Sequence, residues 1–215
     1  MPDASDTPEI RWLGRIAFEA ALTLQDETAA RLADGRGSEV LFLLEHDPVY
    51  TIGRHPDRSS LGADNLPHPV AFIGRGGKAT FHGPGQLVGY PILDLRRRGR
   101  DLHRYLRFLE SVLIDALGEL GIDAGRSDGQ TGVWVGPRKI ASLGVGVRHW
   151  ITQHGFALNV SNDLAPFGHI IPCGIAGVQM TSILSELGIA PSLPEMAERV
   201  ADQLLSRLPE LGYGP

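Results

Sequence analysis

Apolar positions recur along the chain in two rhythms, and the switches between them outline its elements. Ile16, Ala20, Leu24 and Leu32 fall at mixed three- and four-residue spacing, which predicts a helix over 14–33. The short run EVLFLLE (39–45), ended by Asp47-Pro48, reads as a buried strand. VAFI (70–73) reads as another, feeding a glycine-rich loop. The clearest helical stripe is Leu102, Tyr105, Leu106, Leu109, Val112, Leu113, Leu117 and Leu120, so a helix is predicted over 101–120 with Gly121 as its stop. Strands are predicted at 132–135, 139–148 and 153–160. In the second of these, simple alternation would put Lys139, Ala141 and Leu143 on one face and Ile140 and Ser142 on the other. Helices follow at about 181–187 and from Ser192, where Ser192 and Glu195 sit at capping-box spacing ahead of Met196, Val200, Leu204 and Leu208.

Strands and separated helices without regular βαβ alternation predict an α+β fold with a mixed or antiparallel sheet flanked by helices. A single catalytic domain is expected over 1–215, its core at about 10–190 and a helical C-terminal extension at about 191–215.

Composition narrows the function. A net charge of −5 excludes a general nucleic-acid binder, which needs a basic footprint. No apolar run approaches the ~18 residues of a membrane helix. The acidic opening MPDASDTPEI lacks the layout of a signal peptide, so a cytoplasmic protein is expected. One cysteine forms neither an internal disulfide nor a cysteine-rich zinc site, and no metal is expected.

Four stretches carry the candidate chemistry: 45–55, 74–95, 132–150 and 167–183. Cys173 lies between Pro172 and Gly174. It fits a buried structural cysteine, or a nucleophile that a substrate approaches over Gly174. A thiol of pKa ~8.5 is only slightly ionised at neutral pH, so a nucleophile needs a base beside it. Lys139 is the candidate: a lysine drawn out of water into an apolar pocket holds its proton less firmly and can take that of the thiol. The alternative is an ordinary solvated strand lysine. In Arg75-Gly76-Gly77-Lys78-Ala79-Thr80-Phe81-His82, paired glycines let main-chain N–H groups face a ligand and Arg75 offers a fork of donors; a tight hairpin is the plain alternative. His82 fits an acid/base, a positioning group, or a satisfied buried histidine. Phe81, Leu143, Val145 and Phe156 are candidates to line an apolar tunnel. Arg96, Arg97, Arg98, Arg100 and Arg104 form either a solvated helix entrance or a basic docking patch for an acidic partner.

RGGKATFHGPGQLVGYPILDL, a lysine followed by ASLGV, then GFALNV and a late Pro-Cys-Gly-Ile stand in that order. In this combination the chain resembles the octanoyltransferase family of the biotin/lipoate protein ligase superfamily, from about residue 10 to 190. The resemblance implies the α+β catalytic domain shared with biotin protein ligases. It implies transfer of an octanoyl group from octanoyl-acyl carrier protein to a lysine of lipoyl domains, those of 2-oxoacid dehydrogenase E2 subunits and of the glycine cleavage H protein, the first step of endogenous lipoate synthesis. Cys173 matches the family's acyl-thioester nucleophile and Lys139 the lysine that lowers its pKa. Arg75 to His82 match the substrate-binding loop, and Ser142-Leu143-Gly144 with Gly155-Phe156-Ala157 match two further substrate-contacting segments. The donor is already a thioester, so no ATP or other cofactor is expected. The rival is an ATP-dependent lipoate or biotin protein ligase, which adenylates a free acid and needs no cysteine; a non-catalytic carrier-binding module is the remaining alternative.

Overall fold

The computed structural model describes residues 7–53, 58–61, 65–74, 78–172 and 177–212. Cys173, Arg75, Gly76 and Gly77 lie outside the described residues. The chain begins with strand β1 (Glu9–Ile16), runs through helix α1 (Phe18–Ala33) and enters β2 (Val40–His46). Residues 14–16, expected to open the helix, belong to the strand instead. β1 lies parallel to β2 from Glu9↔Val40 to Ile16↔His46, and that ladder outweighs the local helical spacing.

Then come β3 (Val49–Ile52), β4 (Val70–Phe72), β5 (Thr80–His82), β6 (Gln86–Ile92), α2 (Leu102–Gly118), β7 (Gly125–Ser127), β8 (Gln130–Val135), β9 (Arg138–Arg148) and β10 (Ile151–Asn159). The chain closes with β11 (Gln179–Met180), α3 (Ile183–Leu187) and α4 (Leu193–Arg207). The main sheet runs β1-β2-β6-β10-β9-β8-β7, with β11 added beside β9 where β10 has ended. It is mixed, because β1–β2 and β9–β11 are parallel pairs and the others antiparallel. A second, smaller sheet runs β4-β3-β5. This is the α+β fold with a mixed sheet that the pattern predicts.

Helices cover both faces of the main sheet. On one face α2 and α4 pack together over β6, β8, β9 and β10, burying Leu109, Val112, Leu113, Met196, Val200 and Leu204. On the other, α1 lies over β6 and β10, burying Ala21 and Leu32 against Phe42, Val88 and Ala157. β6 sits between β2 and β10 with both faces covered, and all seven of its residues are buried.

The helix ends follow their residues. Asp101 caps α2 by accepting from the Arg104 N–H at 3.0 Å, and Gly121 turns the chain away at φ 80°. Ser192 and Glu195 form the reciprocal capping box at the start of α4. The alternation expected along β9 does not hold. Val133 pairs with Ala141 but Trp134 with Lys139, so Ile140 is one residue more than β8 supplies, and Ile140 and Ala141 both reach the main core.

Candidate active site

A cavity of about 390 Å3 opens where the small sheet meets the middle of β9 and β10. Its floor is set by glycine. Phe156 pairs with Gly89 across β10 and β6, and a Cβ on Gly89 would stand 2.1 Å from the Phe156 ring. A Cβ on Gly155 would stand 2.3 Å from the Gly89 carbonyl oxygen. Without side chains at both positions, the ring lies flat against the neighbouring strand and leaves room above it.

Of the residues expected at the substrate site, those on β9 and β10 all reach the cavity, and those of residues 78–82 divide between its two sides. Ser142, Leu143 and Gly144 of β9 and Gly155, Phe156 and Ala157 of β10 all line the cavity, as does Val145. From the small sheet, Lys78, Thr80 and His82 line it as well. Ala79 and Phe81 point the other way, into a cluster with Tyr50, Phe167 and Ile170. The expectation that Phe81 walls an apolar tunnel is therefore corrected: on a strand, the neighbours of cavity-facing Thr80 and His82 face the opposite side.

The rest of the wall escaped sequence reasoning. Phe18 at the start of α1, Tyr90 on β6, Leu102 and Leu106 on the first turns of α2, and His154 on β10 each line the cavity. Leu102 and Leu106 belong to the helical stripe of α2, yet Leu102 is 37% exposed. His154 carried a signal of a different kind: it holds φ 57° in mid-strand, and its N–H donates to Gln25 Oε1 at 2.7 Å.

Lys139 is 1% exposed. Its Nζ donates to the Thr131 carbonyl oxygen at 2.8 Å and lies 5.2 Å from the Trp134 ring centroid. Thr131 itself lines the cavity, so the amine is buried just behind the wall. The solvated strand lysine is thus excluded. Gly132 makes the placement possible: a Cβ there would stand 2.5 Å from Lys139 Cε and 2.8 Å from the Ala141 carbonyl oxygen.

A polar chain joins the two sides. His82 Nδ1 meets Gln86 Oε1 at 2.8 Å, and Gln86 Nε2 donates to the Phe81 carbonyl and to Asn159 Oδ1. Both amide hydrogens of Gln86 are spent there, so its oxygen accepts and His82 carries hydrogen on Nδ1. Asn159 Nδ2 donates to the Thr181 carbonyl at 2.9 Å, and the Thr181 N–H donates to the Lys139 carbonyl at 2.9 Å. His46 lies behind His82, with ring centroids 5.8 Å apart. Its Nδ1–H is held by the Ile16 carbonyl at 3.0 Å, so Nε2 accepts from the Tyr90 hydroxyl at 2.8 Å. Burial lowers the His46 pKa below the usual histidine range, against the raising effect of that carbonyl.

Residues 18–205 match the family described as lipoyl protein ligase A/B catalytic domain. The chain belongs to this family. It is 56% identical to the octanoyltransferase of Geobacter sulfurreducens over 189 residues, covering 88% of this chain and 80% of that one. It is 52% identical to the octanoyltransferase of Geobacter metallireducens, covering 94% of this chain and 96% of the relative. The fold is shared more widely. A bipartite lipoate protein ligase from Thermoplasma acidophilum superposes with a TM-score of 0.67 at 18% identity, covering 95% of this chain and 83% of the ligase. The biotin protein ligase of Aquifex aeolicus superposes at 0.55 and 14% identity, covering 94% and 69%. Within the matched residues, β9 and β10 supply the middle of the cavity wall, and β9 also carries the buried lysine.

Proposed function

We propose that this member of the family is an octanoyltransferase that moves an octanoyl group from octanoyl-acyl carrier protein to a lysine of lipoyl domains, through a thioester on Cys173. The observation that carries the reading is the cavity walled by Leu143, Val145 and Phe156, with Lys139 buried behind its Thr131 edge. Its relatives at about half identity over most of the chain are octanoyltransferases.

In the first step Lys139 takes the Cys173 proton, and the thiolate attacks the carbonyl carbon of the octanoyl thioester. The new S–C bond replaces the carrier's S–C bond, and the carrier thiol leaves with the proton from Lys139. In the second step the acceptor amine attacks the same carbon. An amide forms, the bond to Cys173 breaks, and the proton released by the amine returns to the thiolate. A thioester exchanged for a thioester is nearly neutral in energy and its aminolysis is downhill, so ping-pong covalent catalysis needs no further energy source. Arg75, Gly76 and Gly77 complete the substrate-binding loop that Lys78, Thr80 and His82 continue. The acceptors are the lipoyl domains of 2-oxoacid dehydrogenase E2 subunits and the glycine cleavage H protein, and the reaction runs in the cytoplasm as the first step of lipoate synthesis.

Intact-mass measurement after mixing with octanoyl carrier is expected to show one added octanoyl group, absent from Cys173→Ser. No adduct, together with ATP-dependent pyrophosphate release on free octanoate, would make the protein an ATP-dependent lipoate or biotin protein ligase instead.

A further inference from the structure

We propose that Glu110, on α2, is a positioning residue for Lys139 and acts on it through the single peptide group between Thr131 and Gly132. This deepens the reading above and rests on Lys139 being the group that ionises Cys173.

Three observations converge on that peptide. The Glu110 carboxylate is 1% exposed, and its Oε1 accepts from the Gly132 N–H at 3.0 Å. The carbonyl of the same peptide, that of Thr131, accepts from Lys139 Nζ at 2.8 Å. Gly132 holds φ 139°, and a Cβ there would stand 2.9 Å from Lys139 Nζ. The peptide dipole therefore lies between a carboxylate at its N–H end and an ammonium at its carbonyl end, and each hydrogen bond polarises the other. The carboxylate fixes where the Thr131 oxygen sits, and so where the amine sits. It also strengthens that oxygen as an acceptor for the lysine N–H.

Other charged groups face the unit from each side. On α2, Arg107 Nη1 holds Glu110 Oε2 at 2.8 Å, and on β7, Arg126 Nε holds the same oxygen at 2.9 Å. Beside the lysine on β9, Arg138 pairs with Glu186 of α3 at 2.9 Å. The two arginines occupy Oε2, which leaves Oε1 to Gly132. A carboxylate needed only to tie α2 to β7 would be satisfied by that Oε2 cluster.

The test uses the full chain and its one cysteine, so every alkylation reports on Cys173. Alkylation by iodoacetamide is followed against pH for the wild type, Lys139→Ala, Glu110→Gln and the double variant, with circular dichroism to check folding. Glu110→Gln is expected to slow alkylation at pH 7 about ten-fold, the scale of losing a supporting partner behind a functional group. Its pH midpoint should rise in the same direction as that of Lys139→Ala, and it should add nothing in the Lys139→Ala background. An unshifted midpoint, or a shift that persists in that background, overturns the positioning role and leaves Lys139 in place. An unshifted midpoint in Lys139→Ala itself overturns both. Should Glu110→Gln not fold, Glu110→Asp keeps the charge but draws the oxygen back from Gly132. A raised midpoint then supports the proposal, and a wild-type midpoint sinks it.

Discussion

At the scale of residues, the site is built from side chains that are absent as much as from those present. Gly89, Gly132 and Gly155 each leave a gap that one specific neighbour fills, a phenylalanine ring, a lysine stem or a strand backbone. His46 shows the electrostatic counterpart. Its ring is enclosed, its Nε2 serves as an acceptor for Tyr90, and burial lowers its pKa. In the unfolded chain the same imidazole binds a proton at about pH 6.5. Above that pH the group is neutral in both states and costs nothing. As pH falls below about 6.5 the unfolded chain takes up the proton first, so stability drops until the folded pKa is reached. Thermal melts between pH 7.5 and 5.5 should therefore show a steeper acid loss for the wild type than for His46→Gln. Parallel curves would mean that His46 is not held neutral by burial.

At the scale of elements, α4 and α2 form one half of the core and should set stability together. Leu113 is fully buried among them, and Leu113→Ala is expected to cost about 2–5 kcal/mol through lost burial and the cavity left behind. Ser192→Ala, which removes one side of the capping box, should cost about 1 kcal/mol. Urea titration ranks the two, and a cap loss equal to the core loss would mean that α4 is held by its end rather than by its face. The elements differ in how legible they were. α2 and α4 carry unbroken apolar stripes with cap residues at their starts, so their positions could be read closely. β6 carries no strand signature: Gly89 and Pro91 break its pattern, and burial on both faces removes alternation. Thr80–His82 looks like loop in the sequence because a three-residue strand is too short to show a period.

At the scale of the whole molecule, the structure sorts the arginine cluster that the sequence only lists in a row. Arg96 pairs with Asp94 at 2.7 Å, Arg98 with buried Glu39, and Arg104 donates to the Glu210 and Gly212 carbonyls. Those three hold the fold. Arg97 and Arg100 are exposed, on a chain that is net acidic. Local positive charge of this kind steers an acidic partner. Arg97→Glu with Arg100→Glu is expected to slow transfer from octanoyl carrier protein several-fold while sparing a small octanoyl thioester, and an equal effect on both donors would remove the steering role. The sequence by itself determined the fold class, helices α2 and α4, and the segments 142–145 and 155–157 that line the cavity, because periodicity, caps and ordered motifs act over short stretches of chain. Only the tertiary structure decided which side of each strand meets the cavity, that Phe81 turns away from it, and that Glu110 and Lys139 share one peptide. Those outcomes depend on strand register and on packing between residues far apart in the chain, which no local pattern encodes.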